Sequence, residues 1–253
     1  MCFGAHAHEA SPCGVWVLAS PLAAALGWGL TGHGDSDWGA GPEHYEMDSI
    51  VADLGVDCDG NRQEVGGHRC VLGGMTTLVG EGEIDGLLRG LALVDVDASI
   101  EVAGIEKITA FVRSGMDGVE SLRDVADAIA AYNPHRKRPA NLDGLRKSVR
   151  LGDDGRWHWH WDPAFITLNS REPDRGVMER AALAARAIRV PTLLIRGAES
   201  VVGTAEGACE LLSVIPGSRM VDVADAGHMV AGDDNDVFSA AVEGFLRDLE
   251  PRT

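Results

Sequence analysis

Apolar positions in the second half of the chain recur with two different periods, which predicts alternating strands and helices. Short apolar runs at 91–96 and 189–197 have the length of buried strands, and Pro191 and Gly197 bound the second run. Residues 117–131 instead place apolar side chains three and four positions apart, as an amphipathic helix requires. The same patterns predict a strand at 219–228 and helices at 141–150, 178–188, 205–217, 235–250 and from Leu72 onwards.

The order of these elements predicts an α/β fold. Strands that alternate with helices favour a mostly parallel sheet flanked by helices on both faces. Between Asp97 and Arg189 the pattern contains helices but no clear strand, which is typical of a helical lid inserted between two sheet strands. The sheet strands are expected at 90–96, 190–196 and 219–224, the two parts of the core at 1–99 and 187–253, and the lid at 100–186.

Composition and charge indicate which classes of binding partner this chain does not suit. The 253 residues are 45% hydrophobic and 24% charged, which is typical of a globular chain with one large domain and room for an insertion. The formal net charge is −17 at pH 7. A surface with this much negative charge repels nucleic-acid phosphates and anionic membranes. The composition therefore argues against nucleic acid and membrane partners.

An apolar stretch at 15–30, VWVLASPLAAALGWGL, raises the question of a signal peptide or a membrane span. A signal peptide needs a positively charged region before its apolar run, yet no lysine or arginine precedes Arg62. The stretch is also shorter than the roughly 20 apolar residues that a spanning helix needs, and it contains Ser20 and Pro21. We expect it to form a buried segment of the fold.

The cysteines do not form a disulfide pattern. Their number is odd and no two of them are spaced as C-x-x-C, so a reducing cytoplasm is the simplest setting for the chain. They are Cys2, Cys13, Cys58, Cys70 and Cys209.

Several stretches, in a fixed order, resemble the α/β-hydrolase superfamily, and two others resemble the lid of a subgroup of small hydrolases with an actinobacterial character. The resemblance covers most of residues 27 to 250 and implies an α/β-hydrolase fold with a helical lid. The core stretches are TGHGDSDW (31–38), LGGMTTL (72–78), GLALVDVDA (90–98), VPTLLIRGAES (190–200) and VDVADAGHMV (221–230), and the lid stretches are AAYNPHRKRP and GRWHWHWDPAF.

The resemblance implies a catalytic histidine and an acid that orients it. His228 follows the predicted strand at 219–224, where the family places its general base. Two carboxylates are candidates for the acid. Glu199 lies shortly after the strand that ends in LLIRG, and Asp95 ends the preceding strand, where some members place the acid instead.

The nucleophile position is occupied by an unsuitable residue. The family carries its nucleophile on a tight G-x-S-x-G turn that leads into a helix. If Leu72 begins that helix, the serine position falls on Val71, which has no nucleophilic atom, and its β-branch suits a positive φ poorly. Arg69 takes the place of the small residue before it. The backbone N–H groups of Val71 and Leu72 are the expected oxyanion donors.

Cys70 is the alternative nucleophile. A histidine nearby can convert a cysteine to the thiolate that attacks a carbonyl group. The turn geometry argues against Cys70, because the flanking positions that should be small hold His68 and Leu72.

Residues 1–70 fit the family poorly, although the stretches after Leu72 fit it well. The segment 57–70 is polar and glycine-rich where an apolar strand is expected, and AALGWGL at 24–30 looks helical and leads almost directly into the histidine-glycine loop. We hypothesise that short parts of residues 1–70 are read from a shifted frame or carry small deletions. Translating the coding DNA in all frames tests this, and no restored apolar strand with G-x-S-x-G before Leu72 would disprove it.

Two functions follow from these features. The first is hydrolysis of a small ester, lactone, epoxide or similar substrate, and the second is binding of a small ligand by a non-catalytic relative. Nothing in the sequence favours a metal, flavin or nicotinamide cofactor, since LGGMTTLVGEGE at 72–83 does not read G-x-G-x-x-G and no Walker lysine follows it. His33 is expected to be structural, and His158 and His160 are expected to pack in the lid rather than bind metal, because no third ligand is in register.

Overall fold

A computed structural model describes residues 14–19, 24–34, 36–59, 64–68, 71–96, 102–134, 141–165, 175–228, 230 and 235–249. The strands are β1 (Gly14–Ala19), β2 (Ala24–Gly29), β3 (Glu64–His68), β4 (Gly90–Val94), β5 (Val149–Leu151), β6 (Trp157–Trp159), β7 (Thr192–Gly197) and β8 (Arg219–Val223). The α-helices are α1 (Met47–Asp59), α2 (Val71–Glu83), α3 (Val102–Arg113), α4 (Leu122–Tyr132), α5 (Arg175–Ala187), α6 (Ala205–Val214) and α7 (Asn235–Leu249), and 3₁₀ helices span Pro42–Tyr45 and Asp143–Lys147.

The main sheet has six strands in the order β2-β1-β3-β4-β7-β8. Strands β3, β4, β7 and β8 run parallel to one another, whereas β1 is antiparallel to both β2 and β3. The mostly parallel sheet predicted from the sequence is therefore confirmed, including the strands predicted near 91, 190 and 219.

The central strands β4 and β7 are buried on both faces, which explains their continuous apolar sequences. Successive side chains point to opposite faces, so Leu91 and Leu93 enter the core beneath α1, α2, α5 and α6. Ala92 and Val94 enter the second core, which α7 covers with Phe245. Full burial of one such leucine side chain contributes about 1.5–3 kcal/mol. Helices thus flank the sheet on both faces.

The first three strands differ from the sequence prediction. The segment that looked helical, AALGWG, is strand β2 and pairs in register with β1. Strand β3 forms from EVGGH although it lacks an apolar run, because β1 and β4 pair with its two edges. Here tertiary pairing overrides local propensity. No helix in the described part of the chain is both long and apolar enough to cross a membrane.

The described residues between 102 and 165, namely 102–134 and 141–165, form a small unit with a core of its own. Val125 and Val149 are buried there against Trp159 and Trp161, whose rings stack with centroids 4.9 Å apart. Ser121 caps α4 in a capping box with Asp124, which satisfies backbone N–H groups at the start of this helix.

Strands β5 and β6 pair antiparallel in the same unit, which corrects the expectation of helices without strands. The helix predicted at 141–150 is a 3₁₀ helix at Asp143–Lys147 followed by β5. Strand β5 forms because β6 pairs with it, and Gly155, with a φ of +76°, lies in the turn that brings β6 back alongside β5.

Helix α5 packs against the core, although the predicted lid extended to residue 186. Ala181, Ala184 and Ala185 are buried with the side chains of α2 in the main core. The two helices approach so closely that a Cβ added to Gly82 would lie 2.4 Å from the carbonyl oxygen of Ala184. Only small residues allow this contact, and the alanine-rich sequence of α5 supplies them.

One carboxylate is buried at the end of α2. Glu81 accepts a hydrogen bond of 2.8 Å from the N–H of Leu88, which leads into β4. Burial disfavours the charged form and raises the pKa of Glu81 to about 7, and the nearby charge of Asp85 acts in the same direction.

This raised pKa predicts a pH-dependent stability. Between about pH 4.5 and 7 the unfolded chain loses the Glu81 proton while the folded chain keeps it, so the free energy of unfolding falls as pH rises. The total loss is on the order of 3 kcal/mol. Glu81→Gln should remove this slope and still accept the Leu88 hydrogen bond. Urea unfolding of both proteins from pH 4.5 to 8 measures the difference, with the exposed Glu179→Gln as control. Equal slopes in the parent and Glu81→Gln would contradict the prediction.

Candidate functional site

The carboxyl ends of the four parallel strands define one edge of the sheet. The pairing register places His68 beside Leu93, Val94 beside Ile195, and Gly197 beside Val223. The connections that follow β3, β4, β7 and β8 therefore leave the sheet at the same edge. Open parallel sheets bind ligands at this edge.

Two of the predicted site residues meet there. His228 follows β8, and its Nδ1 lies 2.7 Å from Oδ2 of Asp95, the residue after β4. The Asp95 carboxylate is fully buried, whereas the His228 side chain is 13% exposed. Among the described residues, Nε2 of His228 has no hydrogen-bond partner. The pair thus has a buried acid, an oriented imidazole and one nitrogen available to a reactant.

The Asp95 carboxylate accepts hydrogen bonds from two further groups. The backbone N–H of Gly197 donates to Oδ1 at 3.2 Å, and the hydroxyl of Ser200 donates to Oδ2. Asp95 itself has a φ of +53°, a conformation that is uncommon outside glycine. Such backbone geometry persists where the surroundings hold it, and it is concentrated at functional sites.

Close backbone packing fixes the loops around Asp95. A Cβ added to Gly197 would lie 2.2 Å from the carbonyl oxygen of Gly227, next to His228. At Gly203 it would lie 3.0 Å from Oδ1 of Asp95. On the other side, a Cβ on Gly74 would lie 2.3 Å from Cγ2 of Val96, so the first turn of α2 packs directly beside the acid's loop.

The second candidate acid is not part of this pair. Glu199 is exposed, and its backbone N–H donates to the carbonyl oxygen of Ala226 at 2.9 Å. Within the described residues its carboxylate makes no hydrogen bond or ion pair, and Nδ1 of His228 is already bonded to Asp95.

The nucleophile position lies where β3 leads into α2. Helix α2 begins at Val71, and Leu72 is half-buried against the main core. The first N–H groups of a helix have no partner inside it, so at this edge they are available to an oxyanion or another anion. Cys70 and Arg69 lie outside the described residues.

The other histidines singled out in the sequence bond to neighbouring protein groups. His33 is buried and its Nδ1 lies 3.1 Å from the carbonyl oxygen of Thr31. Burial lowers the pKa of His33. His158 pairs with Asp154 at 2.9 Å, and His160 accepts from Nε of Arg150 at 3.0 Å. The described part of the chain contains no group of three or more potential ligands that could hold a metal ion.

Sequence reasoning missed the part that Ser200 and Gly197 play in this site. A signal was present, since Glu199 and Ser200 stand where the family resemblance leads one to expect a serine-aspartate pair. The backbone donor at Gly197 could not be found from residue types alone.

Two solved hydrolases share the architecture of this chain. An E-2-(acetamidomethylene)succinate hydrolase superposes with a TM-score of 0.72 and 20% identity over 87% of this chain and 80% of its own. An esterase from Mycobacterium tuberculosis gives a TM-score of 0.67 and 26% identity over 89% of this chain and 77% of its own. The chain belongs to the α/β-hydrolase superfamily.

Sequence comparison also links this α/β-hydrolase to a curated enzyme. It is 25% identical over 209 residues to a 3-hydroxybutyrate-oligomer hydrolase of Cupriavidus necator, covering 79% of the present chain and 71% of that enzyme. No protein-family model matches the chain. The relatives support a hydrolase-family function at the level of the reaction class.

Proposed function

We propose that this α/β-hydrolase acts slowly on small esters and uses the Asp95–His228 pair as its general base. The observation that carries the proposal is the 2.7 Å contact between Nδ1 of His228 and the buried Asp95 carboxylate. This contact fixes the proton on Nδ1 and leaves Nε2 free to accept another. A small-molecule ester is chosen because relatives with this fold include an esterase and an oligomer hydrolase.

In the proposed reaction Nε2 of His228 takes a proton from the attacking group as that group adds to the ester carbonyl. The positive imidazolium is stabilised by the Asp95 carboxylate. The same Nε2–H then protonates the departing alkoxide, which returns the histidine to its neutral state. The unpaired N–H groups at the start of α2 stabilise the oxyanion.

The slow rate follows from Val71. A serine at this position would divide acyl transfer into two easier steps, and valine has no atom that can do so. Two attacking groups remain, which are a water molecule and the thiol of Cys70. Direct attack by water forgoes the covalent intermediate, so turnover should lie far below that of a complete triad.

Residues 102–165 serve as the lid in this proposal. The first turn of α3 touches the loop after β7, since a Cβ on Gly104 would lie 2.8 Å from the carbonyl oxygen of Val201. Hydrogen bonds of 2.7 Å from Gly34 to His160 and from Asp162 to Gly32 join the unit to the loop after β2. A cover held at both sides would exclude bulk solvent from the site.

His228→Ala should lower turnover of a short-chain p-nitrophenyl ester by about a hundredfold or more, because general-base catalysis contributes roughly that factor. The matched control is His44→Ala, since His44 is exposed and far along the chain from the pair. Parent-like turnover in His228→Ala would refute the assignment of the base.

The variant Cys70→Ala distinguishes attack by water from attack by the Cys70 thiol. Turnover that persists in this variant and is lost in His228→Ala indicates attack by water, whereas loss in both indicates a thiolate. If the purified parent does not turn over any small ester and still binds one, the protein is the non-catalytic ligand binder, which the valine at position 71 favours.

A further inference from the structure

Ser200 occupies a special position beside the Asp95–His228 pair. It lies on the loop after β7, half-buried, and its hydroxyl donates to Oδ2 of Asp95. This is the same carboxylate oxygen that contacts Nδ1 of His228. The side chain of Ser200 takes no part in the proton transfers above, because it contacts the acid and not the histidine.

The direction of the Ser200 hydroxyl is fixed by the backbone. Its oxygen accepts hydrogen bonds from the N–H of Val202 at 3.1 Å and from the N–H of Gly203 at 3.3 Å. A hydroxyl oxygen that accepts two hydrogen bonds has used both lone pairs, so its single proton must point elsewhere. The acceptor in that direction is the Asp95 carboxylate.

The Asp95 carboxylate is therefore held by donors at both oxygens. Gly197 fixes Oδ1, and Ser200 shares Oδ2 with His228. The torsion about the terminal bond of an aspartate has a broad energy profile, and without Ser200 only one donor would remain at each oxygen to limit it. The Ser200 hydroxyl adds a second donor at Oδ2, which narrows this torsion and further satisfies an anion that has no access to water.

We propose that Ser200 is a positioning residue that sets the orientation of Asp95 and, through it, the orientation of the His228 imidazole. The expected effect on kcat rests on the proposed general-base function. The expected effect on the orientation of Asp95 and His228 does not. The Ser200 hydroxyl fixes the plane of the carboxylate, so Nε2 of His228 points to the site at the carboxyl edge rather than sampling several directions.

The test compares Ser200→Ala, Ser200→Thr and the parent as full-length ¹⁵N-labelled proteins. The Nδ1 proton of His228 is observed by NMR downfield of the amide region and assigned by its loss in His228→Gln. Ser200→Ala should shift or broaden this resonance and lower kcat about tenfold with KM within about twofold, since the change removes one hydrogen bond to a charged group. Ser200→Thr keeps the hydroxyl and should restore both. Ser213→Ala removes an exposed hydroxyl on α6 and is the control.

Each outcome decides the inference. A parent-like resonance and a parent-like kcat in Ser200→Ala would overturn it, as would failure of a folded Ser200→Thr protein to restore the resonance. If Ser200→Ala does not fold, Ser200→Cys replaces it, because a thiol is a weaker donor and should give an intermediate shift. A shifted resonance in a protein whose turnover does not depend on His228 would leave Ser200 as a positioning residue and reject the general-base function instead.

Discussion

Asp95→Asn should reduce ester turnover about as far as His228→Ala does, by about a hundredfold or more, because an amide in place of the acid leaves the base in the wrong tautomer. The carboxylate contacts three donors, from His228, Gly197 and Ser200. An asparagine has one acceptor oxygen, and its NH₂ group would face at least one of these donors. The imidazole then loses both the negative charge that stabilises its protonated form and the acceptor that fixes its tautomer.

The same substitution should lower stability by about 1–3 kcal/mol, because a buried donor is left without an acceptor. Turnover and urea unfolding are measured together, with Asp153→Asn on an exposed turn as control. If Asp95→Asn is as stable as the parent but loses most of its turnover, Asp95 contributes to catalysis and not to stability. Unchanged turnover would show that the acid is Glu199 or that no acid is used.

The sequence predicted the parallel half of the fold well because burial there leaves a strong pattern. Strand β4 reads GLALV, and all five residues are buried, so the apolar run reports the strand directly. The last helix, α7, also leaves a clear sequence pattern, because it buries one apolar face against β4, β7 and β8. Its described range, Asn235–Leu249, lies within the predicted 235–250.

The first strands could not be predicted in this way. Strand β3 contains a glycine pair and two charged or polar ends, EVGGH, so its position depends on pairing with β1 and β4 rather than on its own residues. Likewise, β5 and β6 are three residues long, too short to leave a period in the sequence. Where local preference and global pairing disagree, sequence reasoning follows the local preference.

At the site, the order of residues along the chain predicted which side chains would meet. Their hydrogen bonds could not be predicted from the sequence. His228 and Asp95 were candidates because each follows a strand, and the shared edge of the sheet brings them together. The sequence alone could not decide which of the two is the acid. Asp95 follows β4 and Glu199 follows β7, and these strands lie side by side. The positive φ of Asp95 also has no signature in the residues around it.

The largest gain in activity should come from rebuilding the turn before α2. Arg69→Gly combined with Val71→Ser supplies a nucleophile at the start of the helix and a small residue two positions earlier, as the tight turn requires. With the Asp95–His228 pair in place, we expect ester turnover at least about a hundredfold above the parent. Val71→Ser alone should restore little, because the arginine side chain still occupies the position that must be small.

Covalent labelling distinguishes a rebuilt nucleophile from a general rise in rate. A fluorophosphonate should modify the double variant at position 71 and leave the parent unmodified there. Adding His228→Ala should abolish both the labelling and the gain, since the serine hydroxyl then has no base. A double variant that folds as the parent does, yet neither reacts with the probe nor gains turnover, would show that residues 64–71 do not form the turn that the family uses. In that case His228 and Asp95 would form a pair without a nucleophile position, and ligand binding would be the better account of the protein.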